Sequence, residues 1–213
     1  MAGATGLVGR EVLAALLTDK RYAAVHCVGR RPMAISHPKL FGHVLDFQNL
    51  SSLPGIDHVD DVFIALGTTI KVAGSQAAFR AVDFAAVVAL ARVAKAAGAV
   101  KLGVISAMGA STASAIFYNR VKGEMEEALA GLGYRVLVLA RPSMLVGERE
   151  ALTQAPRPAE RLGLLAMALF KPLIPANYRA IAATQVAQAL LNTLHRTEQG
   201  TRVLLSGEMQ SIR

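Results

Sequence analysis

One cysteine, Cys27, stands among 213 residues. A lone cysteine forms no internal disulfide, which suits a reducing compartment. Aromatic residues make up 5% of the chain and do not interleave with the basic ones, whose runs never exceed two. The stacking surfaces and basic tracts that hold nucleic acids are therefore missing, although the formal net charge is +8. Long hydrophobic runs are missing too. After Arg161 the stretch "LGLLAMALF" has nine residues before Lys171 closes it, about half of the ~20 that a membrane span needs. The five histidines (His26, His37, His43, His58, His195) are scattered, and no group of Cys, His and carboxylates has metal-site spacing. Met1 is not followed by the basic and apolar regions of a secretory signal. These absences argue against nucleic acid, membrane and metal as partners, and the cytoplasm is the expected location.

What is there alternates. Hydrophobic residues are 53% and charged residues 18% of the chain, enough to build a core. Strand-like runs read "AAVHCVG" (23–29), "GHVLDF" (42–47), "DVFIAL" (61–66), "VKLGVIS" (100–106), "YRVLVLA" (134–140) and "RVLLS" (202–206). Between them, residues 7–18, about 75–97, about 118–130 and 183–195 carry helical spacing. Strands apolar on both faces and separated by helices predict a doubly wound parallel sheet with helices on both sides, a three-layer Rossmann-like α/β fold. We expect one domain over 1–213. Its proline-rich segment 147–180 forms a small C-terminal lobe that covers a site at the sheet's carboxyl edge.

The chemistry starts at "GATGLVG". Gly3 permits a tight turn, Gly6 lets backbone amides approach a pyrophosphate, and Gly9 lets the first helix pack closely. The helix that follows points its amino end at the phosphates. The second strand ends in "VGRRP", with Arg30 lying 21 residues past Gly9. An acidic residue there would bind the ribose 2′-hydroxyl of NAD, whereas Arg30 and Arg31 suit the 2′-phosphate of NADP. NADP is therefore the expected cofactor, with NAD the lesser fit. Asp46, with Phe47 after it, would stand beside the adenine, or simply close a turn. In "ALGTT", Leu66 and Gly67 would let backbone run under the cofactor, while Thr68 and Thr69 offer hydroxyls. Tyr118 and Lys122 are four apart and share a helix face. A nearby ammonium is expected to lower the phenol's pKa by ~1–3 units and make it a general acid/base. Ser106, with Ser111 and Ser114 as substitutes, would orient the substrate oxygen.

"GATGLVG", "VGRR", "LDF", "ALGTT", "VIS" and "YNRVK", in this order, resemble the short-chain dehydrogenase/reductase superfamily. The chain looks like an atypical, extended-type member, similar to the Tat-interacting oxidoreductase-like group, over about residues 1–150. The resemblance implies that Gly3, Thr5, Gly6, Leu7 and Val8 line the pyrophosphate and that Arg30 and Arg31 hold the 2′-phosphate. It implies that Lys122 holds the nicotinamide ribose and that Arg141, Pro142 and Ser143 lie by the nicotinamide. Tyr118 would be the proton donor, with Lys122 and Ser106 beside it. One departure is Asp83, where many relatives carry Asn. A small carbonyl or alcohol is the implied substrate, since the C-terminal lobe is short for a nucleotide-sugar.

Two functions remain open at this point: an NADP-dependent oxidoreductase, or an NADP(H)-binding regulator with little turnover. The alanine-rich faces of the helices near 83–97 and 118–130 suit packing within the monomer or pairing in a homodimer. The glycine turn has almost no strand before it, so the natural chain is expected to extend upstream of Met1. Replacing Arg30 by Ala is expected to weaken NADPH binding roughly tenfold, the loss of about one charge-assisted hydrogen bond, and to leave NADH binding unchanged. Fluorescence titration with both nucleotides measures this.

Overall fold

The computed structural model describes residues 1–146 and 175–212. The β-branched runs form short parallel strands: β1 (Val25–Gly29), β2 (Leu40–Val44), β3 (Asp61–Ile64), β4 (Lys101–Ile105) and β5 (Val136–Arg141). A two-stranded pair follows, β6 (Leu145–Val146) with β7 (Ile181–Ala182), and then β8 (Gly200–Leu205). Strand β1 pairs with β2, and β3, β4, β5 and β8 pair in that order, all parallel. Ala2 joins the two groups, bridging Val28 on one side and Ile64 on the other. Its N–H donates to the Phe63 carbonyl and its carbonyl accepts from Ala65, each at 2.9 Å. The Met1 carbonyl accepts from the Val28 N–H at 2.9 Å, and the Met1 amine donates to His26. Burial lowers the pKa of that amine. Met1 and Ala2 thus stand between β1 and β3. Beside them lies a cavity of about 280 Å³, lined from both sides by Val25, Val62 and Leu90 among others.

Helices cover both faces. Helix α1 (Leu7–Thr18) buries Val8, Val12, Leu13 and Leu16, the apolar stripe that its sequence spacing predicts. It packs with α6 (Ala183–Arg196), which buries Val186, Leu190, Leu191 and Leu194 in the same cluster. The opposite face is covered by α4 (Val87–Ala96) and α5 (Phe117–Ala130), through Leu90, Ala94, Met125 and Leu129. Two short helices, α2 (Ile70–Ala73) and α3 (Gln76–Arg80), lead into this layer. The chain ends in α7 (Ser206–Ser211). Among the described residues no helix is long and apolar enough to cross a membrane.

Two elements differ from the sequence expectation. Strand β2 occupies 40–44, where the sequence run is 42–47. The Asp46 carboxylate accepts from the Gln48 N–H at 2.9 Å and the Asn49 amide at 2.8 Å, which folds the chain away as a turn. The helix expected over 75–97 contains a π-helical stretch, Ala81–Ala86, between α3 and α4. That wider stretch carries Asp83, which is only 1% exposed. The expected covering lobe, 147–180, lies outside the described residues over 147–174. Its remaining end holds a 3₁₀ turn, Ala176–Tyr178, and Asn177 there accepts from the Gly207 N–H at 3.0 Å.

The glycine turn shows why small residues stand there. Gly3 has φ +83°, and a Cβ on it would collide with the Ala65 carbonyl. A Cβ on Gly9 would collide with the Gly3 carbonyl. The close packing expected of Gly9 is therefore against the turn itself. An open helical glycine gains up to ~1 kcal/mol when replaced by alanine. Here Gly9→Ala is expected to lose about 2 kcal/mol through overpacking, read as a lower urea midpoint.

Candidate functional site

The strand order reverses at Ala2, so the turn Gly3–Gly6 opens at the switch point of the sheet. Gly6 caps α1, its N–H donating to the Gly3 carbonyl at 3.0 Å. No side chain caps this helix, and its first turn holds no acidic residue. The Leu7 and Val8 amides therefore lack intrahelical acceptors and sit at the positive end of the helix dipole. Thr5 is exposed beside them. Cβ atoms on Gly3 and Gly9 would strike backbone, so only glycine forms this turn, and amides at a helix's amino end fit a pyrophosphate. Arg30 and Arg31 follow β1 directly and are exposed. Asp46, also at this edge, is the turn residue described above. Its turn hydrogen bonds hold its pKa below the ordinary carboxylate value. Phe47 packs against the core behind it.

Past β3, Leu66 packs inward and Gly67 is exposed. The Thr69 hydroxyl caps α2 by accepting from the Val72 N–H at 3.1 Å. The Thr68 N–H donates to Asp83 Oδ2 at 2.9 Å. The other oxygen of Asp83 lies 2.8 Å from Lys122 Nζ, and the two side chains are 1% and 4% exposed. This buried ion pair joins the π-helical stretch to α5.

Tyr118 stands in the first turn of α5, one turn before Lys122, with its ring 5.4 Å from that of Phe79. Its pKa is pushed up to about 12, by burial first and by the Asp83 carboxylate second. This overturns the expected lowering by Lys122. The ammonium pairs with Asp83, and the negative charge of Asp83 raises the phenol's pKa.

Ser106 also departs from expectation. It is 5% exposed, and its hydroxyl donates to Glu126. The same carboxylate receives a two-pronged contact from Arg141, Nε to Oε1 at 3.0 Å and Nη2 to Oε2 at 2.5 Å. The hydrogen expected to steady a substrate oxygen is thus committed inside the protein. The Arg141 guanidinium is bound to α5, and the Glu126 hydrogen bond raises its pKa. The Pro142 carbonyl accepts from the Met108 N–H at 3.1 Å. The Ser143 N–H donates to the Ser206 hydroxyl at 2.7 Å, and its hydroxyl donates to the Arg179 carbonyl at 2.5 Å. The polar atoms of this segment therefore serve the junction between β5 and α7. Of the substitutes, Ser114 accepts from the Ile116 N–H at 3.2 Å, and Ser111 is exposed on the loop.

Glu126 went unread in the sequence. It lies four residues beyond Lys122, so both fall on the buried face of α5, each needing a partner of opposite charge. That spacing was the available signal. The partners Asp83 and Arg141 come from other elements.

A parallel sheet with helices on both faces and a glycine turn at its switch point defines a Rossmann-like α/β fold. No protein-family model matches the chain. It is 30% identical to the protein HTATIP2 of Rattus norvegicus over 210 residues, covering 97% of this chain and 84% of that protein. It is 36% identical to the mitochondrial protein fmp52 of Aspergillus clavatus over 167 residues, 75% of this chain and 70% of that one. With the mitochondrial protein FMP52 of Coccidioides immitis the identity is 33% over 163 residues, 70% of this chain. There the match spans 66% of the fungal protein, about two thirds of its length. The chain belongs to this HTATIP2 and FMP52 family.

Solved structures share the fold. A short-chain dehydrogenase/reductase superfamily protein from Agrobacterium tumefaciens with bound NAD has a TM-score of 0.71 at 18% identity, covering 96% of this chain and 76% of that one. MoeE5 in complex with UDP-glucose and NAD has 0.70 at 16%, covering 95% and 73%. The expected cytoplasmic location does not stand, because the fungal relatives are mitochondrial by name.

The committed hydroxyl of Ser106 carries a prediction. Ser106→Ala is expected to cost about 1 kcal/mol of stability, while Glu126→Ala, which strands a buried guanidinium, costs about 3 kcal/mol. Nucleotide binding by Ser106→Ala stays at the wild-type level. Thermal denaturation and NADPH titration of both variants check this.

Proposed function

We propose that the protein is an NADP(H)-dependent reductase of a small, mostly apolar carbonyl compound. The observation that carries this reading is a shared edge. The uncapped amino end of α1 and the first turn of α5, which bears Tyr118, both lie at the carboxyl edge of the sheet. The turn Gly3–Gly6 with Leu7 and Val8 would hold the pyrophosphate. Arg30 and Arg31 would grip a 2′-phosphate, which favours NADP over NAD. When bound, the reduced nicotinamide would supply a hydride to the carbonyl carbon. The chain's own part is to orient the carbonyl and deliver a proton to its oxygen. Tyr118 is the group placed to do so, because a phenol with a pKa near 12 is protonated throughout the physiological range. Water then restores the proton to the phenolate.

A second reading has specific support. Ser106 and Ser143 spend their hydrogens inside the protein, which leaves Tyr118 with less help than an oxidoreductase site usually provides. A protein that binds NADP(H) and reports it to a partner needs the glycine turn and not the hydroxyls. Turnover of a panel of small aldehydes and ketones with NADPH separates the two. The reductase reading expects consumption of NADPH that falls at least 100-fold in Tyr118→Phe, within the range for a lost general acid. Tight NADPH binding with no carbonyl reduced would leave the sensor.

A further inference from the structure

A polar cluster stands at the amino edge of the sheet, opposite the glycine turn. Asp61 opens β3, Tyr22 lies between α1 and β1, and His195 is in the last turn of α6. The Tyr22 hydroxyl donates to Asp61 Oδ2 at 2.7 Å, and His195 Nε2 lies 2.7 Å from the same hydroxyl. His195 Nε2 and Asp61 Oδ2 are 3.7 Å apart, and both side chains are 12% exposed. A phenol has one hydrogen, so the ring proton of His195 sits on Nε2 and is donated to Tyr22. Among the described residues no three His, Cys, Asp or Glu side chains stand together as metal donors. Here the third donor is a phenol.

We propose that Tyr22, Asp61 and His195 form a three-donor site for ferric iron, which staples the turn after α1 to β3 and α6. The distances between the donors carry the proposal. Bonds of about 2 Å to the three atoms, usual for nitrogen and oxygen donors, place Tyr22 at roughly 85° to each of the other two. His195 and Asp61 then stand at roughly 135° to each other. These angles match one axial and two equatorial corners of a trigonal bipyramid. One corner of each kind is left for water.

The donor set selects the ion. A phenolate and a carboxylate are hard anionic oxygens, and imidazole suits iron as well. Burial first and the Asp61 hydrogen bond second raise the Tyr22 pKa, so only a strongly polarising cation takes the place of its proton. On binding, the Tyr22 O–H breaks and its proton goes to solvent, while the His195 proton moves from Nε2 to Nδ1. No electron is transferred and the iron stays ferric. His195 Nδ1 is buried without a partner in the structure, and the cost is of the same order whether it carries a proton or a lone pair.

The surroundings leave room for the ion. Tyr22 and Asp61 lie in the wall of the cavity of about 280 Å³ beside β1 and β3, which gives an entry path. The Tyr22 ring is fixed edge-on to Phe63 at 6.2 Å and tilted on His195 at 5.7 Å. Asp19 acts on both Tyr22 and His195 and is paired with Arg21 at 2.6 Å. Lys101 of β4 opposes the ion through Asp61, but its ammonium donates to the Leu194 carbonyl at 3.3 Å.

The test is a titration of the protein with ferric nitrilotriacetate, followed by visible absorption. A phenolate bound to ferric iron gives a charge-transfer band that carboxylate and imidazole do not. The expected result is one ion per chain, the band, and a higher melting temperature, since the ion binds the folded state. Tyr22→Phe should lose the band and bind roughly tenfold more weakly or worse. Asp61→Asn still accepts from the Tyr22 hydroxyl and should also bind roughly tenfold more weakly or worse. Thermal denaturation shows that each variant is folded before it is titrated. A wild-type protein without the band overturns the proposal. So does a band that survives in Tyr22→Phe, which would come from another tyrosine. Zinc(II) bound as tightly as iron, in wild type and Tyr22→Phe alike, would leave the phenol out of the site and overturns it too.

Discussion

The close approach at the centre of the sheet governs the rest of the molecule. Ala2 donates to Phe63 and accepts from Ala65 on one side, and Met1 accepts from Val28 on the other. Through them β1 and β2 lie in register with β3, β4, β5 and β8. The chain must then leave this crowded point at once. It does so through Gly3, at φ +83° against the Ala65 carbonyl, and α1 folds back so tightly that Gly9 meets the Gly3 carbonyl. On the proposed reading, the same crowding leaves the amides of the turn open to a phosphate. Backbone amides become a binding surface only where no side chain stands in front of them.

A second constraint lies in the helical layer beside the sheet. Helix α5 carries Lys122 and Glu126 on its buried face, among Val121, Met125 and Leu129. Burying a charge without a partner costs far more than burying a hydrocarbon. Each charge is therefore met from another element: Asp83 from the π-helical stretch, Arg141 from the end of β5. These pairs tie three secondary-structure elements together at the site. They also decide what the catalytic-looking groups can do. Lys122 pairs with Asp83, and the Ser106 hydroxyl donates to Glu126.

The membership of the HTATIP2 and FMP52 family and the fold shared with NAD-bound structures agree with the sequence motifs. Most element positions were also legible. Helix α1 occupies residues 7–18 as its stripe of Val8, Val12 and Leu16 implies, and α6 begins at 183 as expected. The legible parts rest on local rules, namely periodicity, glycine spacing and strand composition. The misread parts rest on partners distant in sequence. Tyr118 and Lys122 read as a matched pair until Asp83 arrives from 39 residues upstream of Lys122.

By itself, then, the sequence determined the layered α/β architecture and the tight glycine turn at the edge of the sheet. Each follows from residues within one turn or one strand of each other. Only the tertiary structure decided the charge and hydrogen-bonding state of that edge. Whether a phenol loses its proton, or a hydroxyl is free to donate, depends on burial and on charges a few ångströms away. Those neighbours are set by how β3, the π-helical stretch, α5 and β5 pack, and no local pattern in the chain records it.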